Sequence, residues 1–203
     1  MSPRPCRTFG IVPAAGRSVR MGQPKLLLPW GTTTVVDQTL SAWQNSEVDH
    51  IVVVAAADQG RLIECIRRSG VDLVLPTVPP AEMRVSVELG LAFVRDVYRP
   101  APHDAWLMAP ADAPLLSPQV INQLIRRHAE QKSSHVLVPR HAGRRGHPLL
   151  APWPLAERVA LLPPDVGINA LLREVPVECI ETAEMGVLAD LDTPEDYQRW
   201  RAL

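Results

Sequence analysis

The chain alternates short apolar runs with longer stretches whose apolar residues recur at helical spacing. Residues 9–13 predict a strand, ended by Pro13 because proline cannot donate to a ladder. Residues 35–44 have helical character. Residues 50–57 are a β-branched run of the kind buried on both faces of a sheet. A helix over 59–69, stopped by Gly70, precedes a strand over 71–75. Residues 81–98 predict a long amphipathic helix, with Val85, Leu89, Ala92 and Phe93 near helical spacing. After a buried strand at 104–109, Ser117 caps a helix running to about residue 131, with Pro118 at its first position. A strand at 135–139, helices at 153–161 and 166–173, and strands at 177–181 and 187–191 follow. Thr193 caps a C-terminal helix with Pro194, Glu195 and Asp196 in its first turn. This alternation implies right-handed crossovers and a mainly parallel sheet. In such sheets ligands bind beyond the carboxyl ends of the strands. The loops 14–25 and 110–116 each follow a strand directly and are expected at one edge.

Length and composition narrow the picture. A chain of 203 residues suits a single α/β domain over 1–203. A net charge of −1 provides no global field for nucleic acid. The prolines cluster in segments such as Pro79-Pro80, Pro100-Ala101-Pro102 and Pro163-Pro164, each flanked by apolar sequence, which indicates stiffened loops and not disorder. Cys6, Cys65 and Cys179 form no CxxC pair, which fits a reducing compartment and argues against zinc. Residues 1–9 lack a signal-peptide core, and the longest apolar run, 51–57, is too short to span a bilayer. A cytoplasmic protein with no membrane partner is expected.

Four groups of residues carry chemistry. The loop Ala14-Ala15-Gly16-Arg17-Ser18-Val19-Arg20-Met21-Gly22-Gln23-Pro24-Lys25 combines small residues with three cations, a composition suited to a triphosphate. It is not a P-loop: five residues separate Gly16 from Gly22, and Gln23 follows where Lys is needed. A solvated basic turn would explain the loop alone; its place after a strand and its three cations favour phosphate. Asp112, just past an apolar strand, is a hard oxygen donor for Mg²⁺ or a turn residue bonding its own backbone. On a strand, Asp190 and Asp192 would point to opposite faces, so one of them is expected to face a site. The basic loop 140–145 leads into Gly146-His147-Pro148. The other histidines, including His50, His103, His128 and His135, lack metal-like spacing and are expected at the surface or at edges. Trp43 and Trp200 are expected to pack rather than stack on bases.

The stretch IVPAAGRSVRMGQPK, residues 11–25, closely resembles the signature AAGxSxRMGxxK of nucleotidyltransferases similar to the molybdenum cofactor enzymes. The resemblance continues through Leu26-Leu27-Leu28-Pro29-Trp30-Gly31, at Ser86 with Gly90-Leu91, at Asp112-Ala113-Pro114-Leu115, at Gly146-His147-Pro148 and at residues 190–196, so it spans nearly the whole chain. Two positions depart from it. Glu82 stands where the family often has glycine, and Ala113 follows the aspartate where Gln or Met is common.

The resemblance implies a three-layer Rossmann-like fold and Mg²⁺-dependent nucleotidyl transfer from a nucleoside triphosphate to a phosphorylated small-molecule acceptor such as molybdopterin. It assigns Arg20, Lys25 and Asp112 to catalysis, and Ala14, Ala15, Gly16, Arg17 and Ser86 to the nucleotide. Arg144, Arg145, His147 and Asp192 fall to the acceptor, and Asp112 and Asp190 to the metal, with Asp192 the alternative to Asp190 as second ligand. Family members that use guanine tend to carry glycine at the position of Ala15, so CTP is expected over GTP. The alternatives are a sugar-phosphate or methylerythritol-phosphate nucleotidyltransferase and a non-catalytic nucleotide-binding regulatory protein.

Overall fold

A computed structural model of the protein describes residues 6–131, 135–163 and 166–202. The expectations placed on residues 1–5 and on Pro164 lie outside these. In chain order the elements are β1 (Thr8–Pro13), β2 (Pro29–Trp30), β3 (Thr33–Thr34), α1 (Val35–Gln44), β4 (His50–Val54), α2 (Gly60–Arg68), β5 (Asp72–Val74), α3 (Met83–Tyr98) and β6 (Ala105–Met108). Then come α4 (Pro118–Gln131), β7 (Val136–His141), β8 (Arg144–Arg145), β9 (Leu149–Pro152), α5 (Ala156–Ala160), α6 (Leu171–Glu174), β10 (Val177–Glu181) and α7 (Pro194–Arg201).

The main sheet runs β10-β7-β9-β6-β1-β4-β5, with β8 paired to β7. Strands β6, β1, β4 and β5 are mutually parallel, as are β7 and β10; β9 runs antiparallel to both β6 and β7. The sheet is therefore mainly parallel, as expected. It is buried on both faces, and β1 is buried along its whole length. Val12 joins the core under α1, α2, α4 and α7, while Phe9 and Ile11 join the core under α3, α5 and α6. These are the three layers. Two glycines let helices approach β1. A Cβ on Gly90 of α3 would lie 2.8 Å from Ile11 Cγ2, and one on Gly10 would lie 3.1 Å from the Trp43 ring. Capping boxes start α1 (Thr34 with Asp37) and α7 (Thr193 with Asp196).

Several expectations change. The basic stretch 140–145 is not a loop. It is a hairpin in which Arg140 pairs with Arg145 and His141 with Arg144. Its two turn residues, Ala142 and Gly143, both have positive φ, the geometry that matches hairpin twist. Strand β9, short and ended by Pro152, was not expected. Residues 187–191 are not a strand: Met185–Leu188 is a 3-10 turn followed by irregular chain. The reason is Gly186, whose Cα packs on the Leu115 carbonyl so closely that a Cβ would lie 2.2 Å from it. The helices expected at 153–161 and 166–173 are 3-10 turns leading into the short α5 and α6. The Ser117 hydroxyl donates to Gln119 Oε1 (2.8 Å). His128, expected at the surface or at an edge, is buried on the apolar face of α4, and burial pushes its imidazole below the usual pKa.

Strand β6 is anchored at its start. Asp104, 1% exposed, accepts hydrogen bonds from the Arg7 backbone N–H, Arg7 Nε and Nη2, and the Ala101 N–H. Arg7 also donates to the Tyr98 and Arg99 carbonyls. Asp104→Ala removes one acceptor from four donors. The expected loss is roughly 3 kcal/mol, at the low end for a broken buried pair because Arg7 is one-third exposed. At about 2–4 °C per kcal/mol, Tm should fall by about 6–12 °C in differential scanning calorimetry. An unchanged Tm would show that this anchor adds nothing to the fold.

Candidate active site

The carboxyl ends of β1 and β6 point to one edge, and the chain leaves each into a polar loop. Because β9 is reversed and Met108 pairs with Leu149, its beginning lies at that same edge and brings Gly146-His147-Pro148 with it. The segment before α7 closes the group. A Cβ on Gly146 would lie 2.2 Å from the Val187 carbonyl oxygen, the His147 N–H donates to that carbonyl (2.8 Å), and the Leu191 N–H donates to the Asp112 carbonyl (3.1 Å). Backbone hydrogen bonds to neighbouring loops thus replace the ladder that a strand would have had.

Lys25 sits at the centre. Its ammonium donates to Asp112 Oδ2 and to the Leu191 carbonyl (2.8 Å), and it lies 3.5 Å from Asp192 Oδ1. All three of its donors thus face oxygen. Sequence reasoning missed what holds it there: Ser18, in the left-handed region at φ 52°, accepts the Lys25 backbone N–H (3.2 Å). Arg20 reaches in from solvent to Asp192 Oδ2 (3.2 Å). Asp190 pairs with His147 Nε2 (3.7 Å). With no strand to separate them, Asp190 and Asp192 both face the cluster. Burial pushes the Asp190 carboxyl above the usual carboxylate range. His147 opposes that rise, and the charges of Asp112 and Asp192 add to it. Asp112 and Asp190 each keep one buried carboxylate oxygen, Oδ1, with no hydrogen-bond partner.

Two cavities flank the cluster. One is lined by Ala14, Ala15 and Gly16, by Pro80 to Met83 with Ser86, and by Lys25 and Asp112. The other, about 400 Å³, is lined by Arg144, Arg145, His147, Asn169, Arg173 and Asp190 among others. Asn169 and Arg173 carried no signal in the sequence, since they belong to no motif and α6 is a single turn. Two expected contacts are taken up elsewhere. Arg17 pairs with Asp58 (3.0 Å) on an exposed surface, and the Ala14 N–H donates to the Val54 carbonyl (2.8 Å), extending the sheet and leaving none for an anion. Among the described residues, no helix is long and apolar enough to cross a membrane.

Known proteins resemble the chain in sequence and in fold. The chain is 24% identical over 189 residues to the molybdenum cofactor cytidylyltransferase of Escherichia coli strain K12, covering 92% of each chain. It is 30% identical over 116 residues to the molybdenum cofactor guanylyltransferase of Xanthomonas euvesicatoria, covering 57% of this chain and 52% of that one. Among solved structures, Rv0371c of Mycobacterium tuberculosis H37Rv superposes with a TM-score of 0.80 at 27% identity, covering 97% and 99% of the two chains. The same protein in complex with manganese superposes at 0.76 and 24%, covering 98% and 99%. The MobA-like NTP transferase domain matches residues 10–179, so the chain belongs to that family and is a nucleotidyltransferase.

Proposed function

We propose that the protein transfers CMP from CTP to a phosphorylated small-molecule acceptor such as molybdopterin, releasing pyrophosphate, with Mg²⁺ and in the cytoplasm. The observation that carries this reading is the Lys25–Asp112 pair with Asp190 and Asp192, set between a cavity of small residues and a cavity rich in arginine. Arg144, Arg145 and Arg173 line the second cavity and make no ion pair among the described residues, which supports an anionic acceptor there. Free cysteines support a reducing compartment.

In this reading an acceptor phosphate oxygen attacks the α-phosphorus. The new O–P bond forms as the bond to the bridging oxygen breaks, and that electron pair leaves with pyrophosphate. A monophosphate has a second pKa near ~6, so the nucleophile is already a dianion at neutral pH and needs no general base. Catalysis is then positioning and charge neutralisation. Lys25 and Arg20 offset charge on the phosphates, and His147 with the arginines orients the acceptor. Asp112 and Asp190 would hold Mg²⁺, since each has a buried hard oxygen without a partner. Among the described residues no group of three or more His, Cys, Asp or Glu could hold a metal, so phosphate oxygens and water would complete the shell. When bound, the ion offsets the charge that builds on the phosphates. Pyrophosphate release from each of the four triphosphates, over a panel of phosphorylated acceptors with Mg²⁺ or Mn²⁺, tests the reading. No release with any pair would reject it.

Nucleotide choice has its own expected outcome. Ala15 is 9% exposed and lines the first cavity, so its Cβ narrows a slot that a purine would fill. Overfilling a packed site costs ~1–3 kcal/mol, which at the upper half of that range is roughly a ten- to hundredfold preference for CTP over GTP. The measurement is kcat/KM for both nucleotides with one acceptor, in the natural chain and in Ala15→Gly. Equal use of GTP by the natural chain overturns the assignment. A ratio unchanged in Ala15→Gly leaves the assignment standing and removes the steric explanation.

A further inference from the structure

The Lys25 ammonium and a divalent ion held as described above would draw on one carboxylate. Lys25 takes Asp112 Oδ2, while the other oxygen of that group, Oδ1, is buried and without a hydrogen-bond partner. Around the ammonium also stand the Leu191 carbonyl at 2.8 Å and Asp192 Oδ1 at 3.5 Å. Two carboxylates and a carbonyl are the donors a hard cation takes, and here an ammonium holds them. The side chains of Lys25 and Asp112 are only 15% and 11% exposed, so solvent and salt screen little between charges placed there. A divalent ion on Oδ1 would meet the ammonium across a single carboxyl group. Each cation would then weaken the other's hold.

Of the two protein groups, the ammonium is the one free to leave. The Lys25 backbone is fixed: its N–H donates to Ser18 Oγ (3.2 Å), and it opens a 3-10 turn whose next residue, Leu26, is buried. The charge, however, sits at the end of a flexible four-carbon stem. Asp112 has a short side chain, and its own carbonyl accepts the Leu191 N–H (3.1 Å). To give up Asp112 without loss, the ammonium needs another anion. Lys25 lines the cavity shared by Ala14, Ala15 and Gly16, where a triphosphate would supply one.

We propose that Lys25 is a built-in competitor of the divalent ion for Asp112, and that a triphosphate relieves the competition by drawing the ammonium onto its phosphates, so that metal and nucleotide bind with positive coupling. The inference deepens the nucleotidyl-transfer reading and rests on it. Linkage makes the coupling reciprocal: the triphosphate tightens the metal by the factor by which the metal tightens the triphosphate. Chelation of the ion by triphosphate in solution also couples the two, but it is independent of the protein and cannot respond to a change at Lys25. Competition predicts something chelation does not. Removing a positive group that serves the phosphates should improve binding of the bare ion.

The probe is Mn²⁺ alone, without nucleotide or acceptor, followed by the paramagnetic resonance signal of the free ion and by titration calorimetry. Lys25→Met removes the charge, and Lys25→Arg keeps it. Lys25→Met should bind Mn²⁺ roughly 10- to 100-fold more tightly than the natural chain, within the usual range of coupling between sites. Lys25→Arg should bind it as weakly as the natural chain. Adding Asp112→Asn to Lys25→Met should remove the gain, which places the ion at this carboxylate. Saturating CTP should raise the Mn²⁺ affinity of the natural chain by a larger factor than that of Lys25→Met, since chelation is common to both. A Lys25→Met chain that binds Mn²⁺ no more tightly than the natural one overturns the inference, as does a gain that survives Asp112→Asn. Lys25→Gln carries the same expectation where Lys25→Met does not fold. A natural chain whose Mn²⁺ affinity is unchanged by saturating CTP overturns the inference without any variant. If no triphosphate binds, the nucleotide reading fails and takes the coupling with it; if CTP binds and Lys25→Met shows no gain, the coupling alone fails.

Discussion

Asp112→Asn is expected to lower kcat for pyrophosphate release by roughly 10²–10³-fold, the range seen when one preorganised charge-stabilising group is removed from a transition state. The amide keeps the shape of the side chain but is a poor ligand for a hard cation. It also leaves Lys25 facing a neutral oxygen in place of a carboxylate. The loop position of Asp112 predicts no cost to folding, yet the side chain is buried and ion-paired, so some cost follows. A fall of about 2–4 °C in Tm, near 1 kcal/mol, accommodates the lost pair. Relief of repulsion with Asp190 works against that fall. The decisive measurement is turnover against Mg²⁺ concentration. The variant should require more Mg²⁺ and remain slow at saturation. Turnover like that of the natural chain at limiting Mg²⁺ would reject Asp112 as a ligand.

Lys25→Ala should show a different kinetic signature. Negative charge moves onto the leaving pyrophosphate as the bond to the α-phosphorus breaks, so an ammonium beside it stabilises the transition state more than the ground state. The expected result is a fall in kcat of about 10²-fold with KM changed far less. All three donors of Lys25 already face protein oxygens, so a triphosphate must take some of them from Asp112, Asp192 or Leu191. Part of the nucleotide's interaction energy therefore replaces contacts that exist without it, which is a second reason for a small change in KM. A raised KM with unchanged kcat would mean that Lys25 supplies uniform binding only.

The parallel half of the fold was legible because it obeys strong local rules. Strands buried on both faces read as continuous apolar runs, as in Val52-Val53-Val54, and capping at Thr193 is written in four consecutive residues. The meeting of Lys25 with Asp112 followed from topology, since both loops leave parallel strands at one edge. What was not legible depends on contacts across the chain. Strand β9 is four residues long with a proline at its end, and only its place between β6 and β7 makes it a strand. Residues 187–191 have the composition of a strand, but Gly186 is pressed on Leu115 and the segment bonds loops instead. Ser18 stands in the quoted signature but its hold on the Lys25 backbone shows only in three dimensions, and Arg173 lines the second cavity from a position that no local pattern marks.

The wide sequence separation of the partners at Lys25 bears on the order in which the protein is made. Asp112 lies 87 positions away, and the Leu191 carbonyl 166. Strands β1, β4, β5 and β6 all lie before residue 110, so half of the sheet is available to pair early in synthesis. Contacts of such separation pay their loop-closure entropy only after that framework stands. Asp190, Asp192 and the Leu191 carbonyl emerge only after residue 189, beyond the end of the family match at 179. Until then the Lys25 ammonium and the Asp112 carboxylate have each other but lack the Leu191 carbonyl and Asp192, whatever the state of the sheet. If this cluster is the nucleotide site proposed above, its completion waits for residues 190–192, and a growing polypeptide on the ribosome passes through a long interval with the sheet framework made and the cluster incomplete.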